Sequence, residues 1–117
     1  MADITMTVVP VTKAGILSVA DHASKQLGNA AGGGYFLFPN DGKTILVVDG
    51  VTGDTFTFTA VTCTHGRTET LAPVVAAGKF ALIGPFAPEL WNNANGQVQF
   101  KPTVGNAGDL LLAVRVP

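Results

Sequence analysis

The sequence predicts an all-β fold, a single-domain β-sandwich or barrel with one or two short helical turns. Three observations carry this. Apolar and polar residues alternate with period two through several short runs rich in β-branched side chains, as half-buried strands do. Residues that tolerate turns punctuate these runs roughly every ten positions. The chain holds 14 glycines and 7 prolines, which disfavours a helical bundle. At 117 residues it fits one domain, 1–117, long enough to bury a core without disulfides or metals.

The elements follow in chain order. Ile4, Met6 and Val8 alternate with Asp3, Thr5 and Thr7, which reads as an edge or outer strand ending at Pro10. Ser18 to Gly28 reads equally as a short helix or a structured loop. In the helix, Ser18 caps, Asp21 completes a capping box and Gly28 stops the run. Residues 29–34 read as a flexible glycine-rich connector, so residues 1–34 form a strand plus loop or helix, an arm that reaches neighbouring chains. Tyr35 to Phe38 is a strand. Thr44 to Val48 is apolar on both faces, as expected of a central strand covered on both sides. Thr55 to Ala60 sets Phe56, Phe58 and Ala60 against three threonines. Lys79 to Ile83 is a strand that Pro85 terminates, since proline cannot donate to a ladder. Ala87 to Asn92 is a second helical turn. Gln97 to Phe100 repeats the alternation, and Leu110 to Val116 closes the fold. Asn40-Asp41-Gly42, Asp49-Gly50, Gly53-Asp54, Asn95-Gly96 and Gly108-Asp109 read as turns. A jelly-roll-like or immunoglobulin-like strand order fits this pattern equally well.

Composition narrows the function. Lys and Arg number 7 and Asp and Glu 8, a formal net charge of −1, so binding nucleic acid by phosphate neutralisation is not expected. Charged residues make up 13%, about half the usual share of a soluble domain, and mean hydropathy is +0.37. Such a surface suits a subunit that covers much of its exterior with partners. No run approaches the ~20 apolar residues of a membrane helix, and Met1-Ala2-Asp3-Ile4 shows no secretory n-region.

Chemistry is hard to find. Cys63 and His65 stand two apart and form at most half a metal site; the other histidine is His22, and there is no second cysteine. Ser18, Ser24, His22 and Asp21 lack a nucleophile-elbow context. The aspartates mostly flank glycine, which is turn chemistry, and the Gly32–Gly34 run precedes an aromatic strand rather than a helix. No catalytic set, metal or cofactor is expected. Trp91 beside Asn92 and Asn93 suits a core lid or interface anchor better than a sugar platform.

The order of punctuation adds a family resemblance. Phe38-Pro39-Asn40-Asp41-Gly42-Lys43-Thr44-Ile45-Leu46-Val47-Val48-Asp49-Gly50 resembles the asparagine-glycine and threonine-leucine-valine core of small bacteriophage head auxiliary proteins. Asp49 stands where that family often has asparagine. The likeness continues through Thr55–Thr59 and resumes at Ile83-Gly84-Pro85-Phe86-Ala87-Pro88-Glu89-Leu90-Trp91-Asn92. It ends with Gly96 to Phe100 and Ala113 to Val116, covering roughly residues 36–116. The resemblance implies a capsid decoration, or cement, protein on the outer face of the head. Its implied partners are the major capsid protein and copies of itself, as a trimer or dimer. A tail or fibre-associated domain, or a carbohydrate-binding sandwich using Trp91 and Tyr35, is the alternative.

These readings set definite expectations. Phe56, Phe58, Ile45, Val47, Val98, Phe100, Leu112 and Val114 should share one core. Ile4, Met6, Val8, His22, Cys63 and His65 are the candidate interface. Pro85, Phe86 and Trp91 should form a structural lid, with Asn92, Asn93 and Asn95 in turns.

Overall fold

The computed structural model describes residues 3–12, 24–32, 34–50, 52–59 and 71–116. The chain runs β1 (Ile4–Thr5), β2 (Val8–Pro10), β3 (Gln26–Leu27), β4 (Phe36–Pro39), β5 (Thr44–Gly50), β6 (Asp54–Phe58), β7 (Val74–Val75), β8 (Lys79–Ile83), α1 (Pro88–Trp91), β9 (Gln97–Pro102) and β10 (Asp109–Arg115). Two mixed sheets form a β-sandwich. Sheet A has the order β1-β4-β9-β6-β7; sheet B has the order β2-β10-β5-β8, with β3 also paired to β10.

The N-terminal segment belongs to both sheets. β1 pairs in parallel with β4, and β2 pairs in parallel with β10. Met6 lies at the crossing, its N–H still bonded to Leu37 in sheet A, while Val11 donates to Arg115 in sheet B. A single strand ending at Pro10 is thus two short ones. It is not a free arm, because its backbone polar groups are taken up by the two ladders.

Sheet A fills the core with aromatic rings. Register sets Phe36 opposite Phe100 and Phe100 opposite Phe58 on adjacent strands, with ring centroids 5.3 and 5.1 Å apart. Phe38 and Phe56 close on the same Phe100 ring at 6.1 and 6.3 Å. Six of the seven phenylalanines are buried, and the threonines of β6 turn away from them as the alternation predicts.

Sheet B corrects one expectation. Leu46, Val48, Leu111 and Ala113 face the phenylalanines, whereas Val47, Leu112 and Val114 form a separate cluster on the outward face, joined by Ile45, Val9 and Val11. β5 and β10 are apolar on both faces, so alternation could not say which set points inward. The sandwich geometry decides it.

Other differences have local causes. Gln26 and Leu27 pair with Leu111 and Leu110, and Gly28 donates to Asp109, so no helix extends through Gly28. Residues 28–32 fold as consecutive turns, with Ala31 buried, rather than as a loose connector. Asp49-Gly50 is no turn but the end of β5, paired on both sides. A Cβ at Gly50 would lie 2.7 Å from the Val75 side chain, so the glycine serves close packing. β7, a two-residue strand on β6, carried no periodic signal.

Candidate interaction surface

The two sheets present different outer faces. Sheet A is mainly polar and nearly uncharged outside, with Thr57 on β6, Thr59 just past its end, and Gln97, Gln99 and Lys101 on β9; Val74 on β7 is its exposed apolar residue. The Lys101 ammonium lies 5.6 Å from the centroid of the Tyr35 ring. Sheet B is apolar outside. A shallow groove of about 230 Å³ runs between Ile45, Val47 and Leu112 on one flank and Phe80 and Leu82 on the other. Leu82 is the cross-strand partner of Val47, so register alone aligns these side chains. Phe80 and Leu82 are 60% and 63% exposed, although both are large and apolar. Sequence reasoning missed them. Their signal was that Lys79–Ile83 alternates Ala81 and Ile83 on one side with Phe80 and Leu82 on the other, apolar on both.

The candidate interface residues divide differently. Met6 is 1% exposed and sits in the main core, which removes it from any outer surface. Its strand carries it inward as it crosses between sheets. Ile4 and Val8 are partly buried and pack against the same core, so most of their apolar area serves the fold. His22, Cys63 and His65 lie outside the described residues, as does most of the Ser18–Gly28 segment.

The lid residues come together. Gly84–Pro85 is a cis peptide, and Gly84 has φ +116, a conformation open chiefly to glycine. Phe86 then enters the core at 2% exposure, 5.0 Å from Phe58 and 5.8 Å from Phe38. α1 begins at Pro88, where a missing N–H costs nothing, and places Trp91 edge-on to Phe86 at 6.1 Å. Beneath this pair lies a polar staple. Asn40 Nδ2 donates to the Phe86 carbonyl and to Asn92 Oδ1, and Asn92 Nδ2 donates to the Asn40 carbonyl. Asn93 Oδ1 accepts the N–H groups of Asn95 and Gln97, which is turn chemistry. Trp91 therefore spends its ring on Phe86.

Two buried carboxylates act as loop anchors. Asp54 accepts N–H bonds from Thr55, Val104 and Gly105, and Asp109 Oδ1 accepts them from Thr52 and Gly53. Among the described residues no three His, Cys, Asp or Glu side chains gather as a metal would require, and no helix is long and apolar enough to cross a membrane. On the surface, Arg115 Nε donates to Asp41 Oδ2 at 2.7 Å, and this bond holds the Asp41 carboxyl below its ordinary value.

No family model, curated protein or solved structure matches the chain significantly. The likeness to phage head auxiliary proteins accordingly rests on the quoted residues alone.

Proposed function

We propose that this protein is a capsid decoration protein: it binds the outer surface of a bacteriophage head and bridges major capsid protein subunits, acting by adhesion and without catalysis. The observation that carries this reading is the apolar outer face of sheet B, with Phe80 and Leu82 exposed on a chain that is only 13% charged. Val47, Leu112 and Val114 on this face are buried, and a neighbouring pair of large apolar side chains left in water, Phe80 and Leu82, is the kind of surface that marks an interaction site. The rigid two-sheet frame suits the role, because little conformational entropy is lost when a pre-organised face docks. A protein that binds the assembled lattice and not its dissociated parts stabilises the lattice by mass action, and many identical contacts reinforce one another.

A sugar-binding role for Trp91 has less support, since that ring packs against Phe86. The test is co-sedimentation of the purified protein with expanded and unexpanded heads of the phage that encodes it, followed by an electron-microscopy map. Saturable binding to expanded heads, with density between capsomers, is the expected result. A protein that ignores heads, or that appears only on the tail, overturns the proposal.

A further inference from the structure

Sheet edges expose unpaired backbone N–H and C=O groups and are normally blunted by shortness, proline, charge or bulges. Among the described residues, most edge positions here are blunted in that way. β1, β3 and β7 are two residues long, and β2 is three residues long and ends in Pro10. β8 differs. It spans five residues, pairs with β5 at every one of them without a bulge, and ends sheet B with no strand along its outer side among the described residues. Its sequence is Lys-Phe-Ala-Leu-Ile, with no proline and one charge, at its first position. Phe80 is the one phenylalanine of the chain left outside the core.

We infer that β8 is a self-pairing edge: it joins β8 of a second copy of this chain in antiparallel register about a two-fold axis at Ala81. The two copies of sheet B then form one continuous sheet. The self-complementary placing of Phe80 and Leu82 about Ala81 selects a second copy as the occupant, and charge selects the direction. About Ala81, Phe80 of each copy faces Leu82 of the other, giving two identical apolar pairs on the outer face. Lys79 faces Ile83 of the other copy, so the two ammonium groups sit at opposite ends of the ribbon. A parallel in-register pairing would set Lys79 beside Lys79, which like charges oppose.

A ribbon of five residues is only about 17 Å long. An interface built on so short a ribbon is small, so the dimer should be concentration-dependent in solution and reinforced where copies are held side by side. This inference names the surface behind the self-association expected of a decoration protein. It stands on the fold alone and does not need the shell.

Analytical ultracentrifugation of the full chain between about 1 µM and about 1 mM, a range that brackets weak dimers, should show a reversible monomer–dimer equilibrium. Leu82→Lys should weaken it at least tenfold with the thermal unfolding midpoint unchanged, because Leu82 is exposed in the single chain. In a Cys63→Ser background, Ala81→Cys treated with oxidised glutathione should form an intermolecular disulfide, the two thiols being oxidised as glutathione is reduced. Phe80→Cys alone should crosslink far less, since it faces Leu82. A monomer at every concentration, a dimer indifferent to Leu82→Lys, or Phe80→Cys crosslinking as well as Ala81→Cys would each overturn the inference. Head binding is scored separately. A lost dimer with intact head binding leaves the shell reading standing, and the converse leaves the dimer standing.

Discussion

Phe100 is the ring on which four other phenylalanines converge, two as direct cross-strand neighbours. Phe100→Ala should cost about 3–5 kcal/mol in urea unfolding, with the slope of the transition unchanged. Phe80→Ala, by contrast, should stay within about 0.5 kcal/mol, because its ring is already largely in water. Asp54 ties the loop after β9 to the start of β6 through the Val104 and Gly105 N–H groups. Asp54→Ala leaves those donors unpaired and should cost about 2–3 kcal/mol, with faster amide exchange at 104 and 105 as the local readout. Asp41 provides a pH readout. Its carboxyl is held low by the Arg115 hydrogen bond, so the ion pair persists above the ordinary carboxylate range and is lost as pH falls through the lowered value. In an NMR titration the Asp41 midpoint should sit below that of a free aspartate and rise in Arg115→Ala.

At the level of elements, the lid shows how a short helix is held without a buried residue of its own. α1 has four residues and no side-chain cap, too little to be stable alone. It persists because Pro88 starts it, Trp91 packs on Phe86 and Asn92 is stapled to Asn40. Trp91→Ala should lower stability by about 2 kcal/mol, seen as a reduced thermal midpoint, and weaken head binding only in proportion. Unchanged stability with lost attachment would make Trp91 a contact residue instead. The lid was legible in sequence because proline and a paired aromatic leave local marks. The staple was not, since Asn40 and Asn92 lie 52 positions apart.

At the scale of the molecule, the asymmetry between outer faces matters most. Sheet A shows solvent mainly threonine and glutamine, with Val74 on β7, while sheet B shows Phe80 and Leu82 beside a buried Val47, Leu112 and Val114 cluster. With a net charge of −1, adhesion through sheet B should be governed by apolar burial rather than by ion pairing. Head binding should accordingly change by less than about threefold between about 0.05 and 0.5 M salt, where exposed charge pairs would be screened away. A steep loss with salt would place attachment elsewhere, on Lys101, Asp41 or Arg115.

The amino-acid sequence by itself determined the fold class, most strand positions and the inward set of β6 and β9. There, phenylalanine or valine alternates with threonine or glutamine, and only one register buries the apolar set. It also determined the break at Pro85 and the helical turn after it, because proline acts on its immediate neighbours. Only the tertiary structure decided the orientation of sheet B. Where both faces of a strand are apolar, periodicity carries no sign, and the choice falls to pairing with β8 and β2 and to packing against sheet A. The same ambiguity hid Phe80 and Leu82. The tertiary structure also turned Met6 from a surface candidate into a core residue, because a strand that changes sheets takes its side chains with it.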